Sequence, residues 1–176
     1  MADRVTITRR GGIAHVALSR PDKLNAIDGK MFAALAQAGD ALADDPTLRC
    51  VVLSGEGRGF CAGLDVASFA GVMQDEGGLE AMFAAYRDGP ANHAQQCAWT
   101  WRQLPVPVIA AVHGVCFGGG LQIALAADIR IVAPDAQLSI MEVKWGLVPD
   151  MTGPQSLRHL VRGDVAKELT FTGRIV

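Results

Sequence analysis

The stretch Pro105–Gln122, PVPVIAAVHGVCFGGGLQ, constrains the fold of this chain more than any other. Pro105 and Pro107 suit the entry of a strand, and Val108 to Val112 form a short continuous apolar run of the kind a sheet buries on both faces. A turn follows, then Gly118, Gly119 and Gly120, and then Leu121, Ala124 and Leu125 at helical spacing, so the glycines sit over the first turn of a helix. The first N–H groups of a helix have no internal partner, the macrodipole adds positive potential there, and glycine lets a ligand come close to the backbone. An oxyanion or a phosphate would be held well at such a place. The same glycines would equally serve close packing of the helix against its strand.

The rest of the chain repeats the alternation of strand and helix. Arg4 to Leu18 reads as a hairpin turning at Gly11-Gly12, and SRPDKLNAID as a loop. Asp28 is the expected N-cap of a helix to about Leu42, with Met31, Leu35, Ala38 and Leu42 on one face. Cys50 to Leu53 is a buried strand running into a second glycine-rich loop, SGEGRGFCAGLD, and a short helix is expected from about Asp65. Residues 70–90 read as a mobile excursion. A helix over 91–104 leads into the organising stretch. Beyond it come a strand over 128–133, an extended piece at Ser139–Ile140, and helices over 153–161 and 164–171. Strands alternating with helices predict an α/β layered fold with a largely parallel sheet in one domain, residues 1–176.

Composition excludes several classes. Half the residues are hydrophobic, yet no apolar run approaches a bilayer span, and Asp3, Arg4, Arg9 and Arg10 occupy the place of a signal-peptide core. A soluble, cytoplasmic protein is expected, with no membrane partner. The net charge of −2 gives no electrostatic case for nucleic acid. Cys50, Cys61, Cys97 and Cys116 lack metal-ligand spacing, as do the four histidines, so no metal is expected.

Three chemistries for the glycine loops can be weighed on spacing. A dinucleotide fingerprint started at Gly55 finds Gly57 but meets Phe60 at the third glycine position. A phosphate-cradling P-loop needs a lysine followed by Ser or Thr after its glycines, a pair that neither loop has. Gly114-Val-Cys116-Phe-Gly118 does fit a nucleophile elbow, with Cys116 as nucleophile and His159 as base, against the plainer reading of Cys116 as a small core residue.

Taken together, RPDKLNAID, GRGFCAGLD, PVIAAVHGVCFGGG and SIMEVKWGLVPD resemble, in order and approximate spacing, the crotonase superfamily, the enoyl-CoA hydratase/isomerase family. The resemblance implies a spiral of βαβ units and an oxyanion hole of two backbone N–H groups for an acyl-CoA thioester. By position these are Leu64 and Gly119. It also implies a CoA path along Lys23, Leu24, Ala26, Ala62, Asp65 and Val66, with Lys23 or Arg58 available to CoA phosphates. No cofactor is implied beyond the CoA of the substrate. The expected assembly is a homotrimer or dimer of trimers, and the helical C-terminal segment usual in the family is expected to be missing from this chain.

The family's hydratases grip a water between two glutamates. Here the first position holds Gln122 and the second Glu142, so two-carboxylate hydration is in doubt, whereas one carboxylate suffices for a proton shuttle between carbons. Asp150 matches an additional acid of the family's dienoyl-CoA isomerases, although it also suits a turn. The expectation is an acyl-CoA enzyme favouring double-bond isomerisation over hydration. The competing expectations are a non-catalytic acyl-CoA-binding or scaffolding protein and the cysteine-nucleophile hydrolase.

Overall fold

In a computed structural model, which describes residues 3–74 and 77–176, the organising stretch is the hinge between two sheets. The hairpin strands β1 (Val5–Arg10) and β2 (Ile13–Leu18) are antiparallel. From β2 onward every pairing is parallel: β2 with β3 (Cys50–Gly55), β3 with β4 (Val108–Val112), and β4 with β6 (Ile129–Val132). The sheet order is β1-β2-β3-β4-β6. Parallel neighbours need crossovers, and helices α1 (Gly29–Ala43), α4 (His93–Gln103) and α5 (Gly119–Ala126) lie in those connections.

Register places the core. Ala14 lies opposite Val51, Val16 opposite Leu53, and Leu53 opposite Ala110, and all five side chains are fully buried. Because the side-chain period of a strand is two, those residues share one face of the sheet. On the opposite face Ile109 and Ala111 keep partial exposure, and Ile129 and Ile131 of the edge strand are exposed, so the apolar run of β4 is not buried on both sides within this chain. Met31, Leu35 and Leu42 of α1 pack onto the buried face, each contributing about 1.5–3 kcal/mol by leaving water. Asp28 caps α1 as expected, accepting from Met31 N at 2.9 Å. A reciprocal capping box between Asn92 and Gln95 starts α4.

Three expectations need correction. Residues 115–117, read as turn, form strand β5, which pairs in parallel with β7 (Gln137–Ser139) as a second small sheet. Residues 70–90 hold the end of α2 (Val66–Gln74) and all of α3 (Gly78–Phe83), with residues 75 and 76 of that stretch outside the described residues. Of the glycines that suggested an irregular excursion, Gly77 and Gly89 fall between and after those helices, whereas α2 contains Gly71 and α3 begins at Gly78. The helix expected over 153–161 stops at Leu157 as α6 (Gly153–Leu157), followed by α7 (Gly163–Thr172).

Candidate active site

The site is built where the second glycine loop passes the start of α5. Ile27 N donates to Gly63 O (2.8 Å) and Asp65 N donates to Ile27 O (2.9 Å), bridging Ile27 and Leu64. In extended backbone successive N–H groups point to opposite sides, so the bonds on either flank turn Leu64 N–H away from Ile27. Gly63 sits at φ +88°, and a Cβ there would lie 2.7 Å from Phe117 O and 3.5 Å from Gly119 N. Only glycine permits that passage. Gly119 N is the first N–H of α5 and has no intrahelical acceptor. Among the described residues neither Leu64 N–H nor Gly119 N–H is paired with a backbone acceptor.

Both residues border one cavity of about 400 Å³. Its wall also carries Ala62, Val66, Gln122, Glu142 and Asp150, so seven of the eleven site residues named from the sequence converge there. A neighbouring cavity of about 440 Å³ shares Phe32, Leu64, Phe69, Met82 and Ala94 with it, and apolar side chains dominate both.

The other four stand apart. Lys23 is exposed at the end of a 3-10 turn, Pro21–Lys23. Leu24, left-handed at φ +50°, accepts from Ala62 N through its carbonyl at 2.9 Å, and Ala26 O accepts from Arg20 Nη1 at 3.0 Å. Asp65 accepts from Arg20 Nη1 at 2.8 Å and from Ser68 N at 3.2 Å at the start of α2. The hydrogen bond from Arg20 holds its carboxyl below the usual range. Arg58 is exposed. These residues tie the loop together and do not line the cavity.

Glu142 is the second residue of a 3-10 turn, Met141–Trp145, and is only 8% exposed. Gln122 Nε2 donates to its Oε1 at 2.6 Å, while Oε2 has no hydrogen-bond partner among the described residues. Burial raises the Glu142 pKa, and the bond from Gln122 offsets part of that rise. Asp150, open to solvent on one side, is also raised by desolvation, and its negative charge adds slightly to the rise at Glu142. Two carboxyls with raised proton affinity on one apolar wall are suited to carrying protons.

Cys116 is not on an elbow. It lies within β5, fully buried, with burial pushing its thiol well above the ordinary range, and His159 is bonded to Arg158 at an exposed position. A protonated thiol inside a strand cannot serve as nucleophile.

Sequence reasoning missed Arg20 and Asn25. Fully buried Asn25 accepts from Arg20 N and donates to the carbonyls of Glu56, Gly59 and Phe60, stitching the two site loops together. An asparagine between Leu24 and Ala26 was the available signal.

The sequence profile of a family described as enoyl-CoA hydratase/isomerase matches residues 8–176. This chain belongs to that family. It is 39% identical over 175 residues to carnitinyl-CoA dehydratase of Salmonella paratyphi B, covering 99% of this chain and 62% of that protein. It is 35% identical over 164 residues to the mitochondrial Delta(3,5)-Delta(2,4)-dienoyl-CoA isomerase of Mus musculus, covering 92% of this chain and 50% of that one. The chain thus spans roughly half to two thirds of the length of these curated relatives. Among solved structures, an enoyl-CoA hydratase/isomerase from Mycobacterium paratuberculosis superposes with TM-score 0.90 at 28% identity, over 100% of this chain and 68% of that one. An enoyl-CoA hydratase from Mycobacterium tuberculosis H37Rv gives 0.82 at 31%, over 99% and 64%. The α/β crotonase fold is therefore established. No helix among the described residues is long and apolar enough to cross a membrane.

Proposed function

We propose that this member of the enoyl-CoA hydratase/isomerase family moves a double bond in an acyl-CoA thioester, and does so in preference to adding water across one. The observation that carries this reading is the bond from Gln122 Nε2 to Glu142 Oε1, which puts an amide and a single carboxylate where a hydration mechanism needs two titratable groups. Leu64 N–H and Gly119 N–H, unpaired with backbone acceptors and bordering the same cavity, are the proposed oxyanion donors.

In this reading Glu142 takes a proton from C2 of a 3-enoyl thioester. The C–H electron pair enters the conjugated system, and the thioester oxygen carries the charge against the two N–H groups. Return of the proton to C4 restores the carbonyl and leaves the double bond between C2 and C3. Every proton and electron pair is accounted for with no cofactor beyond the CoA already in the substrate. Asp150, on the same wall with its proton affinity raised, favours a second reading in which a 3,5-dienoyl thioester is isomerised and Asp150 delivers a proton farther along the chain.

The deciding experiment offers purified protein crotonyl-CoA, a 3-enoyl-CoA and a 3,5-dienoyl-CoA side by side. Turnover of either isomerase substrate well above hydration of crotonyl-CoA is expected. Faster hydration would overturn the preference, and tight thioester binding without any turnover would leave the acyl-CoA-binding alternative in its place.

A further inference from the structure

Gln122 is 3% exposed, and both ends of its amide are engaged. Its Oε1 accepts from Gly153 N at 2.8 Å and its Nε2 donates to Glu142 Oε1 at 2.6 Å. The first bond fixes the second, because a peptide N–H can only donate, so the amide oxygen must face Gly153 and the NH₂ must face the carboxylate. Gly153 approaches so closely that a Cβ there would lie 2.7 Å from Gln122 Oε1, and the residue before it, Thr152, is held left-handed at φ +70°. The backbone at the start of α6 is therefore locked onto the side chain from α5.

We infer that Gln122 is the positioning residue of the proton-moving carboxylate: braced by Gly153 N–H, its amide occupies Glu142 Oε1 and leaves Oε2 as the one atom that exchanges the substrate proton. The inference rests on the proposed role of Glu142. In the step it describes, the substrate C–H breaks, its electron pair stays with the substrate, and the proton forms an O–H bond at Oε2, from which it is returned.

Gln122 is the side chain hydrogen-bonded to Glu142 among the described residues. Helices α5 and α6 bring no ionisable side chain to it. On α7, which packs against the same turn, Glu168 is bonded to Arg174 and Asp164 to Arg162, and Lys167 is the remaining charge. On its own turn Lys144 is exposed. Asp150 is the charged group that acts on it.

The test titrates Glu142 directly in protein carrying ¹³C-labelled glutamate, its resonance identified by loss in Glu142→Gln, so that no turnover is needed. Gln122→Met keeps the length and removes both polar contacts. With the donor gone, Glu142 should bind its proton about tenfold more tightly, a rise of one pH unit in its midpoint, and the acid limb of kcat/KM should move with it. A merely structural role would lower Tm and leave the titration in place. Coincident midpoints in folded Gln122→Met and the wild type overturn the inference. Should that variant not fold, Gln122→Glu serves, since a second carboxylate there must share a proton with Glu142 and titrate in two coupled steps; two independent, ordinary glutamate titrations would again overturn it. Full turnover by Glu142→Gln would instead sink the proposed function, which separates the two failures.

Discussion

The two walls of the cavity are held in contrasting ways. On the donor wall, the 61–66 loop is fixed by backbone bridges to Ile27 and Cys116 and by the Arg20–Asn25–Asp65 network. The groups it offers are peptide N–H groups. On the carboxylate wall, Glu142 is held by one side-chain amide and lies within a short 3-10 turn. Peptide donors tolerate almost any side chain that keeps the backbone in place, whereas a proton carrier depends on side-chain identity at both the acid and its brace. Variation of chemistry within such a fold is therefore cheaper on the carboxylate wall.

Glu142→Gln breaks the comparison hardest. The amide keeps the shape and can still accept from Gln122, yet has no proton to exchange, so kcat should fall by about 10²–10⁴-fold with little change in KM. Stability should move the other way. A carboxyl whose folded pKa is raised contributes most below its unfolded pKa and loses that contribution as pH rises through the folded value. The variant should therefore melt higher than the wild type above that range and gain nothing below the unfolded pKa, which thermal melts across pH will show.

On the donor wall, Gly119→Pro deletes one N–H at the first helical position, where proline is otherwise accepted. A Cβ at this position would lie 3.1 Å from Ile27 Cδ1 and from Met151 Sδ, both ends of flexible side chains. The fold should survive, checked by circular dichroism, while kcat/KM falls by about 10²–10³-fold. An active, folded variant would remove Gly119 from the oxyanion site.

Asp65→Asn sharpens the contrast without touching the cavity. It removes the ion pair with Arg20 beside Leu64, costing about 1–3 kcal/mol of stability at neutral pH. Because the folded pKa of Asp65 is depressed, its contribution is present above the unfolded pKa and lost as pH falls through the folded one. The Tm difference between wild type and variant should shrink toward acid, and kcat/KM should drop by less than about tenfold.

What the sequence revealed follows the same division. The core elements were readable because Cys50–Leu53 and Val108–Val112 are short continuous apolar runs and Met31, Leu35 and Leu42 fall at helical spacing. Gly119 and Glu142 were singled out through ordered motifs, and both border the same cavity. Strand β5 was hidden because three residues between two glycine turns carry almost no periodic signal. The brace between Gln122 and Gly153 was hidden because it joins residues 31 apart through a side chain whose partner is a bare peptide N–H. Lys23 and Arg58 are exposed and do not line the cavity, so the geometry of its walls does not bear on their expected meeting with CoA phosphates.

The smallest effect on turnover is expected at Cys116→Ala. Cys116 is a free cysteine whose backbone forms a parallel β-bridge with Cys61 and pairs with Leu138 in the small sheet, and its side chain has no exposed surface. Burial keeps its thiol protonated at neutral pH, so it offers no thiolate to a thioester carbonyl and no proton carrier to the cavity. Alanine fits the same strand position and removes only the sulfur, a loss of about 0.5–2 kcal/mol in packing. Tm should fall by a few degrees while kcat/KM stays within about twofold, because the backbone of residues 115–117 is held by its strand pairing rather than by that side chain. Steady-state turnover of the isomerase substrate decides the matter together with mass spectrometry of the wild type during turnover. Loss of activity accompanied by an acyl group on Cys116 would replace the proton-shuttle chemistry with thioester acyl transfer, and an unmodified thiol with activity retained leaves the carboxylate wall as the seat of the chemistry.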